Sequence, residues 1–292
     1  KLNYAILKGI PVNAVLMEES NPTVGPKSVK NPVECRNERL AHVKDGVALT
    51  RFMKWLHDNV GKMPITEISA AEKLEQFRGQ MEHYLGPSFD PIMGYGPHGA
   101  IIHYSATAES DVALEPHGFL LSDTGGHYLE GSTDVTRTFV LGPLTQEMRH
   151  HYTVVLRGNL DLAAAVCKKG CGGLNLDLLA RAPFWEEGLD YTHGTGHGVG
   201  YLLNVHEGPQ NIRYRLVNGA AQDAPMEPGM ITSDEPGIYL EGKYGIRLEN
   251  LELCVDRQAT DYGTFLGFDT HCGGGALCKA AGTAQCLSPG SL

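Results

Sequence analysis

Hydrophobic residues recur at helical spacing over the stretch from Pro32 to Val60. Positions three, four and seven apart are apolar there, which predicts an amphipathic helix with one side packed on a core. That side carries Leu40, Val43, Val47, Phe52, Met53, Leu56 and Val60. A second helix is predicted after Thr66, whose hydroxyl can cap it, with Ile68, Leu74 and Phe77 facing inward.

Shorter apolar runs along the rest of the chain predict strands. They cover residues 13–17, 100–104, 118–123, 134–141, 230–233 and 246–255. Two more helices are predicted at about 145–166, capped by Thr145, and at 176–187. Helices and strands come in blocks rather than in strict alternation, so the pattern favours an α+β fold over a doubly wound parallel sheet.

Composition divides the chain into three parts. Residues 1–30 are predicted to be a linker left from an upstream domain, because turn-forming residues cluster at 21–26. Residues 31–270 carry the periodic segments and are predicted to form one domain. Residues 271–292 hold three cysteines, five glycines and no acidic residue, so we expect a poorly ordered tail without a closing helix.

Overall charge and cysteine usage limit the classes of partner and compartment. A formal net charge of -10 without a basic stripe makes nucleic acid an unexpected partner. No apolar run approaches the roughly 18 residues that cross a bilayer, and no signal peptide opens the chain, so no membrane association is expected. Four cysteines lie in helix-like or strand-like segments without framework spacing, which predicts free thiols and a cytoplasmic location: Cys35, Cys167, Cys171 and Cys254.

Four acidic residues occur inside apolar or glycine-rich runs, where a solvated charge is least expected. They are Asp123, Asp134, Glu235 and Glu249. A buried carboxylate costs roughly several kcal/mol unless it is paired or binds a metal. Any one of them could be a structural ion pair or the cap of a strand end. Four together need a shared counter-charge.

Histidines in a glycine-rich segment add to this group. His193 and His197 are four residues apart, a spacing that on a helix would suggest a mononuclear zinc site, but no Glu follows the first His. The surrounding glycines also oppose a helix, by up to about 1 kcal/mol each relative to Ala. The segment is therefore predicted to be extended, with glycines that let the backbone pass close to a ligand. His206 follows shortly afterwards.

The kinds of side chain indicate the kind of metal site. Four carboxylates and one imidazole are too rich in oxygen for a single catalytic zinc, which typically takes three protein ligands and water. Two divalent ions roughly 3.5–4 Å apart, bridged by carboxylates, would balance the four negative charges. Manganese, cobalt and zinc all accept such a mixed set.

The order of short motifs identifies a family. These motifs are His-Gly-Thr-Gly-His-Gly-Val-Gly, Asn-Val-His-Glu-Gly-Pro, Ser-Asp-Glu-Pro-Gly, Gly-Ile-Arg-Leu-Glu-Asn, Asp-Thr-Gly and Thr-Asp-Val-Thr-Arg-Thr. From residue 33 to 270 the chain resembles the pita-bread (M24) metallopeptidases, and within them most closely the cytosolic-type Xaa-Pro aminopeptidases. The resemblance implies an α+β fold with a curved, antiparallel-rich sheet and flanking helices.

The same resemblance implies roles for particular residues. The metal ligands would be Asp123, Asp134, His197, Glu235 and Glu249, with Asp134 and Glu249 as the bridges. The catalytic residues would be His103, His193, His206, Glu235 and Arg247. His103 matches a substrate-binding histidine, and Arg247 matches an arginine behind the ligands. Two divalent ions per chain are implied, with manganese expected and zinc or cobalt as alternatives.

The resemblance also implies an activity. The expected reaction releases the amino-terminal residue from peptides with proline second, by attack of a hydroxide that bridges the two ions. Alternatives are a prolidase that acts on dipeptides, a methionine aminopeptidase, a creatinase relative without the metal set, or an inactive peptide-binding member of the fold. A homodimer is possible. We expect residues 1–30 to match only the final linker of the family's upstream domains, and the tail from residue 271 to replace its final strand and helix.

Overall fold

The computed structural model describes residues 3–17, 21–215 and 224–270. The helices in these segments are α1 (Tyr4–Lys8), α2 (Val24–Ser28), α3 (Pro32–Asn59), α4 (Glu67–Arg78), α5 (Gln146–Ala163) and α6 (Gly173–Trp185), and a 3-10 helix spans Gly96–Ala100. The strands are β1 (Tyr84–Pro87), β2 (Ile92–Tyr95), β3 (Phe119–Thr124), β4 (Gly126–Tyr128), β5 (Gly131–Ser132), β6 (Val135–Val140), β7 (Val166–Lys168), β8 (Gly196–His197), β9 (Asn211–Ile212), β10 (Ile231–Asp234), β11 (Gly237–Leu240), β12 (Tyr244–Arg247), β13 (Asn250–Thr260) and β14 (Gly263–Thr270). None of the described helices is both long and apolar enough to cross a membrane.

Every strand pair in the described segments is antiparallel. The two larger sheets have the orders β2-β3-β6 and β10-β13-β14-β7, and the smaller ones are β1-β4-β5, β8-β9 and β11-β12. Together they form a curled half-barrel with helices around it. The predicted α+β fold with an antiparallel-rich curved sheet is therefore confirmed.

Helices α3 and α4 pack on the β2-β3-β6 sheet. Phe52 and Leu56 of α3 and Leu74 of α4 share a core with Leu120 and Phe139 of the sheet. Helices α5 and α6 cover other strands in two further hydrophobic clusters. One cluster contains Val155, Phe184 and Ile246. The other contains Leu176, Cys254 and Leu266. The four predicted free thiols are unpaired in the structure.

The predicted starts of three helices are confirmed by their caps. The Asn31 side chain accepts hydrogen bonds from the backbone N–H groups of Val33 and Glu34, and Glu34 accepts one in return from the Asn31 N–H. Thr66 and Thr145 accept in the same way from the backbone three residues on. These local contacts explain why the helix starts were readable from sequence.

The predicted inward side of α3 is partly wrong. Leu40, Val43 and Val47 are 45%, 45% and 41% exposed, whereas Glu38 and Asp45 are buried on the opposite side. Asp45 pairs with Arg78 at 2.7 Å, and Glu38 accepts from the Ser132 N–H at 3.1 Å. These polar residues can be buried because their partners lie in distant segments of the chain. The spacing of residues along one helix does not reveal such partners.

Several strand boundaries also differ from prediction. Residues 100–104 form the end of the 3-10 helix and a turn, in which the Tyr104 N–H donates to the Ile101 carbonyl. Residues 13–17 contain no strand. The run at 246–255 is divided between β12 and β13, and α5 ends at Ala163 so that 166–168 can join a sheet as β7.

The predicted domain limits at residues 30 and 270 stay predictions. Near the first limit, Val29 forms an antiparallel bridge with Met230, and Lys30 donates to the Val199 carbonyl. The end of the expected linker therefore contacts the folded domain directly. The predicted tail, 271–292, lies outside the described residues.

Candidate metal centre

Five elements bring the predicted metal ligands together. Asp123 lies in β3, Asp134 directly before β6, His197 in β8, Glu235 directly after β10, and Glu249 between β12 and β13. Strand β6 is joined at this point to β12 and the residues that follow it, because the Glu249 N–H donates to the Thr136 carbonyl at 3.1 Å and the Arg247 N–H donates to the Thr138 hydroxyl at 3.1 Å. This junction turns separate strand ends into one site.

The potential ligand atoms form three overlapping groups, each within 4.8 Å. One group contains Asp123, Asp134 and Glu249, and another contains His197, Glu235 and Glu249. His197 Nε2 lies 3.4 Å from an oxygen of Asp134 and 3.4 Å from one of Glu235. Glu249 belongs to both groups and Asp134 links them, which is the geometry that bridging carboxylates require.

Glycine is required where the His197 strand crosses its neighbours. A Cβ on Gly196 would lie 1.9 Å from the Ser233 carbonyl oxygen, and one on Gly198 would lie 2.1 Å from the Glu207 carbonyl oxygen. The segment is extended at residues 196–197, as predicted, but the close approach seen at these glycines is to neighbouring backbone; approach to a ligand stays a prediction.

Burial makes the acidic group costly without cations. Desolvation raises the pKa of Asp123 and of Glu249, and neighbouring carboxylates raise both further. Desolvation also raises the pKa of Glu235 to about 7. Burial lowers the pKa of His197, but its hydrogen bond to Asp134 and the charge of Glu235 outweigh this and raise the pKa to about 9. Divalent cations bound at these atoms would therefore have to displace protons.

The residues fit a pair of divalent ions. The Asp123 Oδ1 atom is buried without a hydrogen-bond partner among the described residues, as expected of an atom that serves as a ligand. Carboxylate oxygens with one imidazole suit manganese, cobalt or zinc. Thr136 donates to Glu249 at 2.7 Å and Ser233 donates to Glu235 at 3.0 Å, so both carboxylates are oriented by hydroxyls that sequence analysis did not single out.

Arg247 lies behind the ligands, as predicted, and is 2% exposed. Its Nη2 donates to Asp123 at 2.5 Å, and its Nη1 donates to the Tyr239 hydroxyl at 2.8 Å. Tyr239 in turn is 2.8 Å from His193 Nε2. Tyr239 was missed because Gly-Ile-Tyr-Leu reads only as an ordinary strand.

The protonation of His193 follows from its two contacts. Nδ1 is 2.7 Å from the Gly194 carbonyl, which only accepts, so Nδ1 carries the proton and Nε2 accepts from Tyr239. Burial and the nearby Arg247 charge lower the pKa of His193 to about 3. The ring is therefore neutral at physiological pH.

His103 and His206 complete the predicted set. Both line a cavity of about 450 Å³ that also holds the five ligands, His193 and Arg247. The His206 ring centroid lies 4.0 Å from that of His197, and a nitrogen of His206 falls within 4.8 Å of ligand atoms of Asp134 and His197. Apolar walls are supplied by Phe89, Ile92, Ile102 and Val205. All nine predicted site residues thus meet in one cavity.

An antiparallel half-barrel with carboxylates and imidazoles gathered at its strand ends defines the pita-bread class of metallopeptidases. Residues 36–256 match the model of metallopeptidase family M24, and the chain belongs to this family. The resemblance to Xaa-Pro aminopeptidases is likewise confirmed, by proteins of known name and by solved structures.

Three comparisons define the similarity. The probable Xaa-Pro aminopeptidase P of Aspergillus flavus is 42% identical over 262 residues, covering 89% of this chain and 40% of that protein. The X-prolyl aminopeptidase of Caenorhabditis elegans, a cytosolic enzyme with a di-nuclear active site, has a TM-score of 0.80 at 36% identity, over 86% of this chain and 41% of that one. The prolidase of Pyrococcus furiosus has a TM-score of 0.71 at 25% identity, covering 86% of this chain and 66% of the prolidase chain. The chain thus spans about two fifths of the length of its curated relatives.

Proposed function

We propose that this protein is a metal-dependent aminopeptidase that releases the amino-terminal residue from peptides with proline at the second position. The observation that carries the proposal is the meeting of Asp123, Asp134, His197, Glu235 and Glu249 in one cavity. Membership of the M24 family supports peptide hydrolysis, and the names of the relatives support proline selectivity.

In this proposal the five ligands hold two divalent ions, which supply Lewis-acid polarisation and an activated water when bound. Asp134 and Glu249, which each belong to two of the three ligand groups, would contribute to holding both ions. Ser233 holds one oxygen of Glu235, which leaves the other oxygen oriented to take a proton from the attacking water. Manganese is the proposed metal, because the donor set is mainly carboxylate.

The remaining polar residues handle the peptide. His103 and His206 line the cavity beside the ligands, where they can donate to the scissile carbonyl and to the leaving nitrogen. Arg247 holds Asp123 and Tyr239 in place, and Tyr239 fixes the neutral tautomer of His193. A neutral His193 can pack against an uncharged proline ring without the cost of burying a charge.

Selectivity for proline is tested by comparing Gly-Pro-Gly with Gly-Ala-Gly in the manganese-loaded protein. We expect hydrolysis of the first and a rate on the second that is lower by at least about tenfold, because a fitted pocket discriminates by 1.4 kcal/mol or more. Asp134→Asn is the matched control, since it removes a bridge and should abolish both reactions. Equal rates on the two peptides would refute the proposal.

A prolidase activity is the second candidate. The structural likeness to the Pyrococcus furiosus prolidase favours it, although at lower identity than the aminopeptidase. Hydrolysis of Gly-Pro with no hydrolysis of Gly-Pro-Gly would move the assignment to a dipeptidase. By analogy with the cytosolic Caenorhabditis elegans enzyme we also propose a cytoplasmic location, and a homodimer remains part of the proposal.

A further inference from the structure

Arg213 is the one side chain in the wall of the cavity whose charge has no role in the site described above. It lines the same cavity as His193, His197 and His206. Arg247, the other arginine of the wall, is fully committed to Asp123, Tyr239 and Thr136. Arg213 is half-buried and makes no ion pair with any residue in the described segments.

The Arg213 guanidinium is left with hydrogen-bonding capacity. Its Nε atom is buried and has no hydrogen-bond partner among residues 3–17, 21–215 and 224–270. Leaving a buried donor of a charged group unpaired is costly, so such an atom in a ligand cavity indicates a partner supplied by the ligand.

Strand register explains why Arg213 faces the site. Strands β8 and β9 pair with His197 opposite Asn211 and Gly196 opposite Ile212. Arg213 follows β9 directly, and since side chains alternate along a strand it shares the face of Asn211 and therefore of His197. Diagonal neighbours of this kind have Cβ atoms roughly 7 Å apart, which puts the long arginine side chain within reach of a ligand bound at His197.

The chemistry of the site specifies the partner. Two divalent ions would balance the four ligand carboxylates, so Arg213 adds an uncompensated positive charge to the metal-loaded cavity. The planar guanidinium fork matches a carboxylate, and carboxylates are the anionic groups that peptides carry. We propose that Arg213 binds a carboxylate of the peptide substrate and makes this protein selective for acidic or short peptides. This inference rests on the proposed peptidase function.

Two sources of the carboxylate can be separated with three peptides. Gly-Pro-Gly carries a free carboxyl terminus, Gly-Pro-Gly-amide carries no carboxylate, and Gly-Pro-Glu-amide carries one only on its side chain. In the native protein we expect KM for the amide to be about ten- to a hundredfold higher than for Gly-Pro-Gly, the usual range for one charged hydrogen bond. A low KM for Gly-Pro-Glu-amide would identify the side chain as a second source.

Arg213→Met keeps the length of the side chain and removes its charge. In this variant the KM difference between Gly-Pro-Gly and its amide should fall to less than about twofold, because the charge that distinguishes the two peptides has been removed. Arg215→Met is the matched control, because Arg215 is exposed two residues further on and should leave the difference intact. Thermal unfolding of both variants checks that they fold as the native protein does. A KM difference that persists in Arg213→Met would overturn the inference.

Binding of product peptides separates this inference from the proposed function. Calorimetric titration of the metal-loaded protein with Pro-Gly and with Pro-Gly-amide should give tighter binding of Pro-Gly in the native protein only. If Pro-Gly binds through Arg213 but no peptide is hydrolysed, the proposed function fails and the inference stands. If proline peptides are hydrolysed but neither KM nor product binding depends on a carboxylate, the inference fails and the function stands.

Discussion

At the scale of single residues, the proposed function divides the site into atoms that would hold metal and atoms that would handle substrate. Asp123 and Glu249 are buried among other carboxylates, a situation that only cations or protons stabilise. His206 is exposed at the cavity and close to His197, so distance alone does not separate the two roles. We propose that His206 contacts the substrate rather than a metal ion, and metal content can test this.

Replacing His206 with alanine should slow hydrolysis without removing a metal ion. The lost imidazole would no longer donate to the carbonyl or the leaving nitrogen, a loss typically of about 10²–10⁴ in kcat. Metal content per chain, measured by mass spectrometry beside the native protein, should be the same. His197→Ala is the control and should lose metal. Loss of one ion from the His206→Ala protein would make His206 a ligand.

His193 should give the folded state a distinct pH dependence. Its folded pKa of about 3 lies below the value near 6.5 of an unfolded histidine, so between these values only the unfolded chain binds the proton. The native protein therefore loses stability as pH falls below 6.5. Between pH 6.5 and 5 its free energy of unfolding should fall by about 1–2 kcal/mol more than that of His193→Asn, measured by denaturant titration. Equal losses in both proteins would contradict the low pKa.

At the scale of elements, the segment before α3 secures the loop that carries the histidines. Lys30 is 5% exposed and donates to the Val199 and Ser28 carbonyls. Desolvation lowers its pKa, and the carboxylates of Glu207 and Glu38 counteract this by favouring the charged form. The buried ammonium group of Lys30, which has acidic neighbours, thus connects the start of α3 to the loop between His197 and His206 through its hydrogen bond to Val199.

Lys30→Met should destabilise the protein by about 1–3 kcal/mol, because the Ser28 and Val199 carbonyls lose their charged donor. Lys27→Met is the matched control. Lys27 pairs with the same Glu207 at 3.0 Å, but its side chain is 37% exposed, so its loss should cost less than about 1 kcal/mol. Chemical denaturation of the three proteins measures both values. A cost for Lys30→Met as small as that for Lys27→Met would show that the buried charge contributes little.

At the scale of the whole molecule, the proposed metal ligands come from two regions that are far apart in sequence. Asp123 and Asp134 come from the β2-β3-β6 region, whereas Glu235 and Glu249 come from the region of β10 and β13. Ions bound between them would act as cross-links of the folded state, because an unfolded chain does not assemble these ligands.

When manganese is supplied, the protein should therefore bind two ions per chain, and its unfolding temperature should rise. At a free metal concentration about a hundredfold above the dissociation constant, the expected gain is about 2.7 kcal/mol per ion. Calorimetry with and without a chelator measures the gain. Asp123→Asn should keep one ion, because Asp123 belongs to only one of the three overlapping ligand groups. A native stoichiometry of one ion would contradict the dinuclear interpretation.

The sequence by itself determined the features that depend on local chemistry. Helix starts at Asn31, Thr66 and Thr145 follow from side chains that bond the next few N–H groups. The glycine-rich His193–His197 segment excludes a helix, and four acids in apolar runs demand a counter-charge. Fold class and the proposed ligand set came from motifs in their order along the chain.

The tertiary structure decided what depends on distant partners. It placed Glu38 and Asp45 rather than Leu40 and Val43 on the core side of α3, because Ser132 and Arg78 reach them from other elements. It also brought Tyr239 to His193. Periodicity reports only how side chains are spaced along one element, whereas burial and pairing are set by the elements that pack against it.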